Sequence, residues 1–192
     1  MKTSYVFIIL AVLLGFFGCS KYNSLATLDQ GVKAKWADVE NQYQRRSDLI
    51  PNLVATVKGA ANFEQGTLTA VVEARAKATS IRVDPKDLSP EKLQEFQNAQ
   101  GQLGSALGKL MSITENYPDL KAIQGFSDLR VQLEGCENRI TVARKDFNDS
   151  VKDFNSKLVT FPNNIFGGLF GFKEKGYFKG AEGTDKVPEV KF

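Results

Sequence analysis

The sequence predicts an all-α fold: a long antiparallel four-helix bundle with an N-terminal membrane anchor and an irregular Phe/Gly-rich C-terminal tail. Three observations carry this reading. Tyr22, Leu25, Leu28, Val32, Trp36, Val39 and Tyr43 recur at three- and four-residue steps, the spacing of one helix face. Phe126, Leu129, Leu133, Cys136, Ile140, Ala143, Phe147, Val151, Phe154 and Leu158 keep the same stepping without a miss. That coiled-coil-like seam needs partners along its whole length. Finally, the helical pattern is interrupted only around residues 59–66, 82–88 and 115–120. The breaks divide it into four helices, which pack most readily as antiparallel neighbours. The organisation expected is residues 1–19 as signal peptide with lipobox or as membrane anchor, 20–160 as the helical bundle, and 161–192 as an aromatic tail packed on the bundle or on a membrane.

At the N-terminus, Lys2 precedes an apolar run over residues 5–17, followed by Gly18-Cys19-Ser20. One positive charge, a short apolar core and a small residue at the cleavage point make a secretory signal. The run is shorter than the ~20 apolar residues of a usual bilayer span. Yet no charge intervenes between Lys2 and Lys21, so a tilted single span fits too. Gly18-Cys19 resembles a bacterial lipobox, with Phe16 and Phe17 where leucine and a small residue are usual. Acylation at Cys19 is the leading reading, and a retained single-pass anchor the alternative. Either one tethers the chain to a membrane.

Along the first helix the apolar stripe reaches Arg46 and Ser47, then resumes at Ile50, Leu53 or Val54, and Val57. Pro51 removes a backbone donor and predicts a kink, since the stripe resumes in phase beyond it. Asn52 is the residue expected to satisfy the freed backbone groups. A charge at a core position requires an acceptor from another helix, because desolvation without one is prohibitive. Arg46, Pro51 and Asn52 therefore read as the polar, kinked centre of the bundle, with Asp146, Asp149 and Glu73 as candidate acceptors for Arg46. The other reading of Arg46 is a guanidinium offered to an anionic partner.

Leu68, Val71, Val72, Arg75 and Ala78 mark a second, shorter helix. Ser89, Pro90 and Glu91 form the start of the third, a capping residue followed by proline at the first helical position. Gly101, Gly104 and Gly108 interrupt that helix, each costing ~1 kcal/mol of helix propensity relative to alanine. They signal close helix approach or local irregularity, or else a groove in which something docks. In the tail, Phe166, Phe170, Phe172, Tyr177 and Phe178 are interleaved with Gly167, Gly168, Gly171 and Gly176. These rings either fold back over the bundle or form an interaction surface.

Composition narrows the function. The net charge is +3, with Lys and Arg dispersed among Asp and Glu, so no basic stripe for nucleic acid exists. Histidine is absent, which removes the commonest general base and transition-metal ligand. The two cysteines make no CxxC pair, and Cys136 on the seam reads as core packing. No catalytic residue, metal site or cofactor is expected, and the chain is not expected to be an enzyme.

With the helices placed, the chain resembles the LemA family of bacterial membrane-associated proteins. The matching stretches include Tyr22-Asn23-Ser24-Leu25, Val32-Lys33-Ala34-Lys35-Trp36 and Arg45-Arg46-Ser47-Asp48-Leu49-Ile50-Pro51-Asn52-Leu53-Val54. Glu73-Ala74-Arg75, Glu115-Asn116-Tyr117-Pro118-Asp119-Leu120-Lys121, Phe147-Asn148-Asp149-Ser150-Val151, Phe161-Pro162-Asn163 and Val190-Lys191-Phe192 also fit. The resemblance implies an N-terminal membrane anchor, a bundle of long helices and no established enzymatic activity. The function expected is a membrane-anchored interaction or scaffold protein of the bacterial cell envelope. Its expected partners are the membrane and unidentified envelope proteins. The alternative is an envelope module binding lipid, glycan or peptide through the aromatic tail.

Overall fold

The computed structural model describes residues 2–59 and 64–180, with residues 2–14, 16 and 17 as backbone only. Helix α1 runs from Lys2 to Lys58, α2 from Gln65 to Ser80, α3 from Pro90 to Thr114, and α5 from Gln124 to Val159. A single turn, α4 (Pro118–Lys121), lies between α3 and α5, started by Pro118 at its first position. Among the described residues there is no strand. The parts of residues 59–66 and of the tail beyond residue 180 expected as turn and terminus, including Asn62 and Val190-Lys191-Phe192, lie outside the described residues.

At ~1.5 Å per residue, the 57 residues of α1 make a rod of about 85 Å. The helix is continuous across residues 19 and 20, and it passes Pro51 without ending. Among the described residues no helix is long and apolar enough to cross a membrane. The apolar run expected to anchor the chain falls largely on side chains that are not described.

Packing follows the predicted stripes. Lys35 faces Asp146, Trp36 faces Phe147 and Arg46 faces Glu137, so α5 runs antiparallel to α1. Arg75 of α2 meets Ser47, and Gln100 of α3 meets Ala78, which gives an up-down-up-down course. The core consists of two apolar clusters. One is built on Leu25, Val32, Trp36, Val39, Phe96, Phe147 and Phe154, and the other on Ile50, Leu53, Val57, Leu68, Leu103, Leu110 and Phe126. Two expected stripe positions are exposed, Val72 on α2 and Tyr22 on α1. Tyr22 stacks edge-on against Phe170. Ser89 occupies the N-cap of α3, but its side chain makes no capping hydrogen bond.

Beyond α5 the tail is more ordered than its composition predicts. Residues Asn163–Leu169 form α6, which is closed by a C-terminal turn. There Phe172 N donates to Gly167 O (2.9 Å) and Gly171 N to Gly168 O (3.3 Å), with Gly171 at φ 76°. This pairing needs a left-handed residue at its corner, which glycine adopts without a Cβ clash. Residues 172–180 then run extended along the bundle.

Candidate functional site

The two apolar clusters are separated by a polar layer, and Arg46 is its centre. This side chain is 3% exposed. Its Nη1 donates to Glu137 Oε1 (2.7 Å), and its Nη2 donates to Gln100 Oε1 (2.7 Å) and Gln100 O (3.2 Å). Gln100 Nε2 in turn donates to Ala78 O (3.3 Å), near the end of α2. One chain of hydrogen bonds thus ties α5, α1, α3 and α2 together. The planar fork of arginine suits this task, because it aims separate donors at separate helices. The guanidinium also lies 5.0 Å above the Tyr43 ring. Burial pushes the Tyr43 phenol up, with Arg144 and Arg46 drawing it the other way. Arg46 Nε is buried and finds no acceptor among the described residues.

None of the acceptors expected for Arg46 serves it. Asp146 pairs with Lys35 (3.4 Å), Asp149 pairs with Lys145 (3.0 Å), and Glu73 is exposed. Of the residues that do serve, Gln100 carries no charge and escapes a reading based on charge, while Glu137 is one carboxylate among many along α5. A signal for Gln100 existed: it is a polar residue four positions after Phe96 and three before Leu103, inside the apolar stripe of α3.

Pro51 acts one turn further on. Lacking an N–H, it leaves the carbonyl of Ser47 without its helical donor. Arg75 Nε fills that place from α2, at 2.9 Å. Asn52, expected in this role, is exposed, and its carbonyl accepts from Thr56 Oγ1.

The seam between α3 and α5 has two halves. In one half it is filled by the extended segment 172–180. Three side-chain amides each clasp the N–H and the carbonyl of one residue of this strap: Asn155 holds Lys175, Asn148 holds Phe178, and Gln97 holds Lys179. These amides imitate the ladder of a neighbouring strand, so the strap needs no sheet. Phe178 is buried against Trp36, Phe147 and the guanidinium of Arg144. Gly176 N donates to Leu88 O (2.8 Å), and a Cβ at Gly176 would stand 2.7 Å from Pro90 Cα. Lys175 forms a pair with Asp29 at 2.7 Å, both side chains being about nine-tenths buried.

Beyond the strap the same seam is, among the described residues, an open groove. One stretch, of about 930 Å³, is lined by Arg46, Gln97, Gln100, Gly101, Gly104, Glu137 and Arg144. The adjoining stretch, about 470 Å³, is more apolar, with Leu107, Gly108, Met111 and Leu133. Glycine here does not serve close helix packing. Among the described residues, a Cβ at Gly101 or Gly108 would meet nothing within 4 Å, and one at Gly104 only Arg46 Nη1 at 4.0 Å.

At the other end of the bundle, Cys19 is exposed, while Gly18 is buried with Phe166 3.5 Å from where a Cβ would stand. Cys136 is buried on the seam. Among the described residues, no three of Cys, Asp and Glu converge closely enough to share a metal ion.

The fold and the layer define an all-helical bundle protein, cross-tied at its waist by one buried arginine and open along one seam. The chain belongs to the LemA family, whose pattern matches residues 35–192. It is similar to the magnetosome protein MamQ 2 of Paramagnetospirillum magneticum, with 26% identity over 83% of this chain and 65% of that protein. It is likewise 26% identical to the magnetosome protein MamQ of Magnetospirillum gryphiswaldense, over 82% of this chain and 64% of the relative. Protein LemA of Metamycoplasma hominis is 28% identical over 72% of this chain and 60% of its own length. The chain thus spans just under two thirds of the length of these relatives.

Proposed function

We propose that this is a membrane-anchored helical interaction protein of the bacterial cell envelope, whose open α3–α5 groove receives an extended segment of a partner protein. The observation that carries this reading is the continuity of the seam. Its strap-filled half holds an extended chain by side-chain amides, and the other half continues the same trough between the same two helices, past Gly101 and Gly104, into an apolar pocket. Gly101 and Gly108, which weaken α3 and face open space among the described residues, fit a surface kept clear for an outside chain. Tethering is supported by the apolar run over residues 5–17 and by the exposed Cys19, with lipoprotein attachment facing the periplasm or exterior as the first form and a single-pass anchor as the second.

Photo-cross-linking in intact cells tests the groove. A photoreactive residue at Ser105 or Ser112, both exposed on its rim, should give reproducible adducts of higher mass, while one at exposed Val72 should not. Equal labelling from all three positions, or adducts confined to the mass of the chain itself, would overturn the reading. The mass of the mature N-terminus, compared with Cys19→Ser, separates the two forms of anchor.

A further inference from the structure

We infer that α6 and its flanks form a foot that sits in the lipid headgroup region beside the anchor. The inner side of α6 is fixed to the bundle. Asn163 is buried and donates to Lys157 O (3.0 Å), Gly167 is pressed against Leu158, and Phe166 reaches Gly18 of α1. The outer side carries Ile165 at 60% exposure and Leu169 at 76%, four residues apart on one face of α6, and Phe161, in the turn just before the helix, is 80% exposed. Val159 and Phe170 extend this patch on either side, and Tyr22 and Tyr177 are exposed at the same end. Elsewhere among the described residues, large exposed apolar side chains are scattered, as at Val72, Ile123 and Val142. Scattered single residues are ordinary surface, whereas a contiguous apolar patch calls for cover.

Position identifies that cover as lipid. The patch lies at the level of Gly18 and Cys19, where α1 passes into its apolar run. Whether that run stays in the bilayer or Cys19 carries acyl chains, the membrane surface falls at this level. Aromatic and aliphatic side chains at such a level bury themselves in the interface. Exposed charges nearby are mixed, with Lys157 close in sequence to Asp153 and Lys173 next to Glu174. The attraction is therefore apolar, and neutral lipid suffices for it.

This inference rests on the anchored reading above, and its test separates the two. The full chain is reconstituted with phosphatidylcholine vesicles whose acyl chains are brominated, and co-sedimentation is measured first. Tryptophan is then introduced as Phe161→Trp, as Leu169→Trp and, near the far end of α5, as Val131→Trp. The native Trp36 is fully buried and supplies a constant background. The first two variants should be quenched roughly twofold more strongly than Val131→Trp, with little change at high salt, as interfacial burial predicts. Sedimentation with equal quenching at all three positions overturns the foot and leaves the anchor standing. Quenching that disappears at high salt also overturns it. Failure to sediment removes both readings.

Discussion

Arg75 Nε lies 2.9 Å from the carbonyl of Ser47, the one carbonyl of α1 that Pro51 deprives of its helical donor. Helix α2 thus repairs in trans what the proline breaks in cis. Arginine and proline are therefore a matched pair, and substitution should expose the match. Arg75→Ala should cost about 1–2 kcal/mol, the usual effect of stranding a partly buried acceptor. In a Pro51→Ala background the restored N–H takes the carbonyl, and the cost of Arg75→Ala should fall by about 1 kcal/mol. A double-mutant cycle in denaturant measures the difference, and additive effects would break the link.

Arg46→Ala should destabilise the bundle by about 2–4 kcal/mol, below the range for fully buried pairs because Glu137 is half exposed. At this chain length that lowers the melting temperature by roughly 5–15 °C. Arg46→Lys should rescue little, since one ammonium has no fork with which to reach Glu137 and Gln100 together. Thermal unfolding of the two variants checks both expectations.

Two glycines should respond in opposite directions. Gly108→Ala adds a methyl group to open space and should stabilise α3 by about 0.5–1 kcal/mol. Gly176→Ala must push the strap off the backbone of Pro90 and should cost at least about 2 kcal/mol. Chemical denaturation gives both signs. In cells, Gly108→Ala should at the same time reduce cross-linking from Ser112.

Acid should loosen the strap through Asp29. Burial alone would raise its carboxyl, but the hydrogen bonds and charges of Lys175 and Lys33 outweigh that and hold it below the ordinary 3.8. Folding therefore favours the carboxylate. Its contribution is complete well above pH 3.8 and is lost as the pH falls below 3.8 towards the depressed folded value. The stability difference between the native chain and Asp29→Asn should be largest near neutrality and should vanish as the carboxyl protonates. Melting temperatures across the acid range measure it.

The helices were legible because their stripes are regular. From Phe126 to Leu158 nearly every residue of the predicted α5 seam is buried, and Trp36 stands at the centre of the first cluster, as its place on the stripe implies. The polar layer was legible as a position and not as a set of partners. Periodicity places Arg46 on the inward face of α1 but carries no information about which residue of α3 or α5 stands opposite. Hence Gln100 and Glu137 went unread. The strap was harder still. It has no period, and the amides that hold it, Asn148, Asn155 and Gln97, look like ordinary solvated helix residues until the tail is seen lying across them. Lys175, buried against Asp29, is a charge that no composition rule puts inside a glycine-rich tail.

The clasp at Lys179 has a mechanical consequence. Gln97 on α3 and Arg144 on α5 grip the same peptide carbonyl from opposite walls, at 2.8 and 2.7 Å. That stitch, and the Arg46 cross-tie to Gln100 and Glu137 further along, hold the two helices at a fixed spacing over the first part of the groove, and only its far part, around Gly108 and Leu133, lacks such a tie among the described residues. The strap also runs straight from α6 to this stitch. The clasps at Lys175, Gly176 and Phe178 come first along that path, so they take the load of any displacement of α6 before it reaches the stitch, and the mouth of the groove is shielded from it.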